Sequence, residues 1–245
     1  MFKLLYNGVE PPKFFKVLGV DQFLLPKIDH YNTKITGSYG NVDGGITFGD
    51  KEFKIRYKII FSGDHDDSYY IDEMTKWLIG DNHKVSKFQL DDSGEYYMAR
   101  VSDASDFTDG LLFGEGVITF TASNPRRYAP NESSITLNNS GNTNVNYDGY
   151  VPATPVIQVE CQKGTRSVKV TNNNTGDFVL VSGDLQGTLI IDCNKKFVSL
   201  RGKKDMSLLN TKSNWITLLR GNNTLSINVD GVAITSAIIK FTVAK

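Results

Sequence analysis

The chain has 245 residues, with 27 Lys and Arg against 27 Asp and Glu, so its formal net charge is zero. That length admits two ordinary domains or one large β domain. A neutral chain without clustered cations is not typical of a nucleic-acid-binding protein. No segment approaches the ~20 consecutive apolar residues that span a bilayer. The sequence therefore predicts neither nucleic-acid binding nor membrane insertion.

Charge and asparagine content both change near Pro130. Residues 1–130 contain 15 Lys and Arg against 19 Asp and Glu, whereas residues 131–245 contain 12 against 8. Asparagine rises from 5 residues to 15 across the same boundary. This shift predicts an N-terminal domain, 1–130, and a C-terminal domain, 131–245.

The first fifty residues predict short strands separated by turns. Asn-Gly, Pro-Pro and Gly-rich stretches interrupt the apolar runs, as expected between strands. The predicted strands are Phe2–Tyr6, Phe14–Leu18, Asp29–Ile35 and Gly44–Phe48.

A long amphipathic strand follows at residues 51–61. Every second residue from Phe53 to Phe61 is apolar, and Lys54, Arg56 and Lys58 occupy the alternate positions. Strict alternation of this kind is typical of a strand with one buried face.

A single helix is predicted after this strand, and it ends at Gly80. The aspartates of the segment SGDHDD suit a helix N-terminus. Ile71, Met74 and Leu78 form an apolar stripe that Tyr70 and Trp77 flank. The stripe either binds a partner or packs on the helix's own sheet, and the second is favoured because short helices need tertiary packing to persist.

The segment LDDSGEYYMARV predicts a hairpin with apolar residues on both faces. Tyr96 and Met98 fall on one side of its second strand, and Tyr97 and Val101 fall on the other. Such a hairpin is either enclosed in its own domain or exposed to another chain. We take these four residues as a candidate subunit interface.

Residues 110–130 predict a strand followed by a linker. Asn-Pro and Ala-Pro occur near its end. Because a residue before proline disfavours helix, an extended linker is expected there.

The C-terminal domain is predicted to be a β-sandwich, since short strands alternate with Asn and Gly turns. The same pattern is typical of jelly-roll lectins and carbohydrate-binding modules. The predicted strands are Pro155–Cys161, Arg166–Thr171, Asp177–Val181, Thr188–Cys193, Lys196–Leu200, Trp215–Leu219, Thr224–Val229 and Ile238–Val243.

No constellation of residues predicts catalysis, a cofactor or a metal. His30, His65 and His83 are scattered, and helix capping accounts for the acidic cluster at residues 64–67. There is no Gly-x-Ser-x-Gly motif and no phosphate-binding loop. Cys161 and Cys193 lack metal-ligand spacing and are expected to be free, buried thiols.

The two tryptophans, Trp77 and Trp215, lie in segments with an apolar pattern. Stacking on a sugar is one possible use of such rings. Packing in a core is favoured because tryptophan is highly buried on average.

In their order, these motifs resemble the distal tail proteins of siphophages. The N-terminal domain carries the long strand, a Trp-Leu helix, an L-D-x-x-x-x-Y-Y hairpin and a closing F-T-A-S-N-P-x-x-Y. The C-terminal domain carries an Asn- and Gly-rich lead-in at Asn138 to Gly149. It then has P-x-I-x-V at Pro155–Val159, L-I-I-D-C at Leu189–Cys193 and L-x-x-G-x-N at Leu218–Asn223.

The resemblance implies a mainly β protein of two parts. The first is a ring-forming β-sandwich with one α-helix and a β-hairpin, and the second is a jelly-roll or galectin-like β-sandwich. It also implies a non-enzymatic phage or prophage virion protein, made in the host bacterial cytoplasm and located at the tail tip or baseplate.

The implied assembly is a homo-hexameric ring that joins the tail tube to the tail tip and the host-recognition apparatus. The implied partners are the tail-tube protein, a tail-associated tip protein and a receptor-binding protein. The alternative is a carbohydrate-binding or lectin-like protein acting at a bacterial surface. The chain lacks a large insertion in either half, which weighs against direct saccharide binding.

Overall fold

A computed structural model describes residues 3–37, 39–79, 84–108, 113–138 and 141–245. The chain divides into two compact units, Met1–Pro130 and Asn131–Lys245. Both are built mainly from antiparallel strands, so the predicted mainly β class is confirmed. His83 and the expected end of the helix at Gly80 lie outside the described residues.

Within the described residues, the first unit contains one helix, α1, at Asp67–Ile79. Strands lie on either side of it along the chain. They are β1 Leu5–Tyr6, β2 Phe15–Gln22, β3 Ile28–Lys34, β4 Asn41–Phe48, β5 Lys51–Ile60, β6 Ser86–Gln89, β7 Tyr96–Thr108, β8 Phe113–Ala122 and β9 Arg127–Leu137, the last of which crosses into the second unit.

Strand β5 lies between β2 and β8 in an antiparallel sheet of order β7-β8-β5-β2. Its residue Ile55 is opposite Val20 of β2 and Ile118 of β8. The start of β7 also pairs with β6 and with β9, and β6 pairs with β1. Strand β7 therefore connects β8, β6 and β9, and side chains of β1, β2, β5, β6, β7, β8 and α1 make up the core of this unit.

The inward face of β5 is buried as its alternation predicts. Phe53 and Ile55 are fully buried, and Tyr57 and Ile59 are nearly so. The ring of Tyr57 stacks on Phe15 of β2, with ring centroids 4.9 Å apart. Phe61 lies beyond the end of the strand and packs edge-on against Tyr70 of the helix.

Helix α1 begins with an aspartate cap. The Oδ1 atom of Asp66 accepts hydrogen bonds from the backbone N–H of Tyr69 at 3.2 Å and from the hydroxyl of Ser68 at 3.0 Å. One of the orphan N–H groups of the first turn is thereby satisfied. The capping role predicted for the aspartates is confirmed at this residue.

The buried stripe of α1 differs from the predicted one. Tyr70, Met74 and Leu78 are buried, whereas Ile71 is 53% exposed. The residues that face the core are therefore at positions i, i+4 and i+8. Compared with the predicted stripe, the helix is rotated about its axis, and Tyr70 contacts Phe14 and Phe61. The helix packs on the core of its own unit, which is the alternative that the sequence favoured over binding a partner.

The segment after β8 is a strand and not the expected linker. Strand β9 begins at Arg127, and Tyr128 is opposite Tyr96 of β7. Ala129 and Pro130 lie within this strand, so the backbone before this proline is extended, as predicted. Because this extended segment lies beside the start of β7, the two form backbone hydrogen bonds as paired strands. The prediction of a linker was wrong.

The second unit holds the end of β9 and the remaining strands of the described chain. These are β10 Gly141–Tyr147, β11 Val156–Cys161, β12 Thr165–Asn172, β13 Phe178–Ser182, β14 Gly187–Asp192, β15 Phe197–Leu200, β16 Lys203–Lys204, β17 Gly221–Gly231 and β18 Ser236–Ala244.

The strands of the second unit form two sheets, of order β16-β15-β14-β11-β18 and β10-β17-β12-β13. Their inward side chains make one core, which includes fully buried Ile157, Val170, Leu189 and Ile239. The predicted β-sandwich is confirmed. Trp215 packs against this core, as expected.

The segment 215–219 is not the strand that was predicted. It makes only an isolated bridge, between Leu218 and Ala153. Its backbone is instead bound by buried amides: Asn172 donates to the carbonyl of Thr217 at 2.9 Å, and Asn223 binds both backbone groups of Leu219. Side-chain amides thus replace a neighbouring strand here.

This bonding also explains the L-x-x-G-x-N motif. Gly221 has a φ of +97°, which favours glycine, and it turns the chain into β17. Asn223 then points back at Leu219, with its Oδ1 accepting from the backbone N–H at 2.9 Å and its Nδ2 donating to the carbonyl at 2.7 Å.

Phe120 is expected to be a major stabilising residue of the first unit. It is fully buried and stacks on Phe88 at 4.4 Å. Phe120→Ala should lower the free energy of unfolding of that unit by about 3–5 kcal/mol, through lost burial and a cavity. In a Trp215→Phe background, Trp77 is the only tryptophan and its fluorescence follows this unit during urea unfolding.

Ile71→Ala on the exposed side of α1 is the control, and it should change stability by less than about 0.5 kcal/mol. Equal unfolding midpoints for the two variants would contradict the assigned core.

Candidate subunit interface

The start of strand β7 carries the four residues predicted to contact another subunit. All four are half-buried. Tyr96 and Met98 point to one face of the strand, and Tyr97 and Val101 point to the other. The structure therefore does not gather them into a single patch.

Tyr97 and Val101 pack against the core of the first unit. The ring of Tyr97 lies 4.7 Å from that of Phe53. Its hydroxyl accepts a hydrogen bond of 3.4 Å from the ammonium of Lys51, which also lies 5.2 Å from the ring centre. These contacts stabilise the fold of the unit itself.

Tyr96 lies on the opposite face, between two neighbours. Its ring stacks on Tyr128 of β9 with centroids 5.6 Å apart, and the Lys87 ammonium lies 4.5 Å from its ring centre. Burial, with a smaller contribution from Tyr128, raises the pKa of the Tyr96 hydroxyl. Beside this pair, Arg127 and Glu95 form an ion pair of 2.8 Å. The Tyr96 side of the hairpin is therefore a half-exposed surface whose side chains contact one another.

A second surface, which the sequence analysis missed, lies on strands β3 and β4. These two strands pair only with each other in the described part of the chain. Every residue of β4 is exposed, although the strand includes Val42, Ile46 and Phe48. A solvent-exposed strand pair with large apolar side chains is unusual in a monomer.

The residues weighed as metal ligands have structural roles. His65 stacks on Tyr69 with ring centroids 3.9 Å apart, and Asp66 caps α1. Among the described residues, no three His, Cys, Asp or Glu side chains are grouped so as to hold a metal ion. The helices of the described ranges include none that is both long and apolar enough to cross a membrane.

Both cysteines are free and buried in the second unit, as predicted. Burial raises the pKa of the Cys161 thiol to about 11, with a smaller contribution from Glu160. Burial likewise raises the pKa of the Cys193 thiol to about 12. Both thiols are therefore protonated and poorly nucleophilic near neutral pH.

The second unit carries a polar outer face on the sheet β10-β17-β12-β13. Its Asn side chains bind one another and nearby hydroxyls: Asn173 donates to Asn142 at 3.2 Å and accepts from Ser226 at 3.2 Å. The Lys169 ammonium lies 4.4 Å from the ring centre of Phe178. A cation thus covers an aromatic ring that would otherwise be available for stacking.

Comparison with known proteins identifies the class of this fold. Residues 148–243 match the family described as the siphovirus-type tail component, C-terminal domain. The predicted resemblance to siphophage distal tail proteins is confirmed. None of the curated proteins matches the chain.

Solved structures extend the likeness to the whole chain. It is similar to the Dit protein of phage SPP1, described as a paradigm of the hub adsorption apparatus in phages that infect Gram-positive bacteria. Identity is 20%, the TM-score is 0.85, and the match covers 100% of this chain and 99% of that one. It is also similar to a chain of the phage P2 baseplate in its activated conformation with Ca, at 9% identity and a TM-score of 0.53, over 98% and 97% of the two chains. The fold is thus shared over the full length of these proteins.

The buried thiols predict a loss of stability in alkali. A thiol in the unfolded chain titrates near its ordinary pKa of 9.0, and the folded ones titrate near 11 and 12. A raised folded pKa gives stability that is full below pH 9 and is lost as the pH rises through the folded values. Chemical unfolding of the second unit, followed by Trp215 in a Trp77→Phe background, should show this fall between pH 9 and 12.

The Cys161→Ala/Cys193→Ala variant is the control for this titration. Its free energy of unfolding should fall less steeply with rising pH than that of the parent protein, whatever its stability at pH 7. Identical slopes for the two proteins would contradict the assignment.

Proposed function

We propose that this protein is a distal tail adaptor, a virion structural protein of a siphophage or prophage. In this role, six copies form a ring between the tail tube and the tail tip or baseplate. The observation that carries the proposal is the full-length likeness to SPP1 Dit, together with the family match of residues 148–243.

The division into two units suits such an adaptor. Each unit has its own apolar core, so one can hold the ring while the other presents a separate surface. We assign ring formation to residues 1–130 and outward contacts to residues 131–245. The partners would be the tail-tube protein, a tail-associated tip protein and a receptor-binding protein.

The role is structural rather than catalytic. Acidic and histidine side chains that might act in chemistry are used in helix capping and ring stacking, as at Asp66 and His65. Both thiols are buried and have raised pKa values. The protein would be synthesised in the bacterial cytoplasm and would act at the virion tail tip.

A closed ring needs two different contact surfaces on every subunit. The half-exposed face of β7 that carries Tyr96 and Met98 remains a candidate for one of them. Tyr97 and Val101 are better explained as core residues, since they pack inside the first unit.

The lectin-like alternative finds less support. On the polar outer face of the second unit, the amides already bind one another, and Lys169 covers Phe178. The Arg220 guanidinium lies 4.5 Å from the ring centre of Tyr150 and occupies one face of that exposed ring. Sugar recognition usually needs open aromatic faces beside polar groups.

The ring makes a direct prediction of mass. The purified full-length protein, measured by light scattering over a range of concentrations, should approach six times 27.2 kDa. Negative-stain images of the same sample should show rings with a central opening. A mass that stays at 27.2 kDa up to high concentration would contradict the proposal.

A further inference from the structure

The positive excess of the second unit is concentrated in one short segment. Residues 131–245 contain 12 Lys and Arg against 8 Asp and Glu. Five of these cations and none of the carboxylates lie in residues 195–204, so the rest of the unit has 7 against 8. This basic segment is a local cluster that the charge totals of the two halves conceal. Its cations are Lys195, Lys196, Arg201, Lys203 and Lys204.

The fold places the basic segment along one edge of a sheet. Strand β16 is the last strand in the order β16-β15-β14-β11-β18. The first two lysines lie in the turn before β15, Arg201 lies in the turn after it, and the other two lysines make up β16, with Lys203 opposite Leu200. Five residues at ~3.3 Å each separate Lys196 from Arg201. The cations therefore form a strip at most about 17 Å long.

The charges of this strip are not neutralised by neighbouring carboxylates. All five cations are exposed, and the ion pairs found among the described residues include none of them. The two flanking carboxylates have other partners. Asp192 is buried and accepts a hydrogen bond of 2.8 Å from the backbone N–H of Lys195. Asp205 accepts bonds of 3.0 and 2.6 Å from the backbone N–H and hydroxyl of Ser207, which lower its pKa more than Lys203 does.

Two of the five cations occupy backbone positions that other residues fit better. Lys196 has a φ of +55° and Arg201 has a φ of +53°. Besides glycines, the described chain has only one further residue with positive φ, Asn7. Left-handed backbone favours Gly and Asn and is unfavourable for a long side chain. Cations at these two positions therefore reduce stability, as is common for residues that serve binding.

Protection of the sheet edge accounts for only part of this pattern. Lysines on an edge strand discourage pairing with another chain, which explains Lys203 and Lys204. It does not explain Lys195, Lys196 and Arg201, because they lie in turns. Like charges without counter-charges also repel one another and destabilise the fold. A partner of opposite charge accounts for all five.

Apolar side chains lie beside the charges. The Lys204 ammonium lies 5.0 Å from the ring centre of the half-buried Phe197. Met206 is 41% exposed, and its sulfur accepts a hydrogen bond of 3.4 Å from the backbone N–H of Val198. The one arginine donates its Nε–H to the carbonyl of Gln186 at 2.6 Å, whereas phosphate is recognised best by a free guanidinium fork. Ammonium groups beside apolar side chains fit an acidic polypeptide better than a phosphate polymer.

We propose that the basic segment binds an acidic, partly apolar segment of another protein. This inference rests on the proposed function, and it gives a site and a partner chemistry to the outward contacts of residues 131–245. Attraction by five like charges speeds the encounter, and Phe197 and Met206 supply apolar contact once the partner is bound.

The first test measures binding to the full-length protein by fluorescence anisotropy. The probe is a fluorescein-labelled peptide of twelve residues, rich in Glu and with two leucines. Lys203→Glu/Lys204→Glu should weaken binding at least about tenfold, because two attractions are replaced by two repulsions.

Lys169→Glu/Lys212→Glu is the matched control, since it changes the net charge equally. Lys169 lies in β12, and Lys212 lies in a segment bonded to β13, so both belong to the opposite sheet. At physiological salt, where charges more than about 8 Å apart are screened, its affinity should stay within about twofold of the parent's. Equal weakening by the two variants would overturn the proposal.

Two further probes test the chemistry of the partner. The same peptide with Gln in place of Glu should bind much more weakly, and equal binding would overturn the role of charge. Linear polyphosphate of similar total charge stands for a phosphate-backbone partner. Tighter binding of polyphosphate than of the acidic peptide would overturn the assignment to a polypeptide.

A neutral variant, Lys196→Asn/Lys203→Gln/Lys204→Gln, separates binding from stability. Asn fits left-handed backbone, and three repelling charges are removed, so it should unfold at the same or a higher urea concentration than the parent protein. It should nevertheless bind the acidic peptide at least about fivefold more weakly. A less stable variant with unchanged binding would overturn the proposal.

Light scattering separates this proposal from the proposed ring. Lys203→Glu/Lys204→Glu should form rings as the parent protein does, because ring formation is assigned to residues 1–130. If this variant alone fails to assemble, the basic segment contacts another copy and the proposed partner is wrong. If the parent protein stays monomeric, the ring is wrong, and binding of the peptide still decides the role of the basic segment.

Discussion

Strand β5 is the centre around which the first unit is assembled, because its inward side chains must be kept from water on every side. Two neighbouring strands cover its edges, and the aromatic rings of β2, β6, β7 and β8 cover its face, as with Phe53 between Phe88 and Tyr97. The helix closes the end of the same core through Tyr70. The β3–β4 hairpin takes no part in this core, and within the described residues its two strands pair only with each other.

Sequence patterns predict elements best where one physical effect decides the outcome. The structure of β5 is decided by burial of one face. The alternation of apolar and charged residues therefore predicts which of its side chains are buried. On α1 the periodicity fits two stripes, and the aromatic contacts of Tyr70 select the one that leaves Ile71 exposed. Segment 215–219 alternates like a strand, yet Asn172 and Asn223 supply its hydrogen bonds. Such long-range partners leave no local signal.

The exposed and half-exposed surfaces of the first unit were harder to predict for the same reason. Tyr97 and Val101 lie on the same face of their strand, and their apolar character predicts that this face is covered. The sequence does not distinguish between cover by the protein's own core and cover by a neighbouring chain. The β3–β4 hairpin carries apolar residues on both faces, mixed with polar ones, and so looks like two ordinary short strands. Only the absence of a sheet neighbour within the described residues reveals its exposure. The family resemblance, by contrast, depends on the order of many motifs and could be recognised from the sequence.

Native mass spectrometry of the full-length protein tests the proposed role most directly, because it counts the copies in each assembly. The proposal predicts a dominant species of six copies, each of 27.2 kDa. A single copy as the main species at every concentration would contradict it.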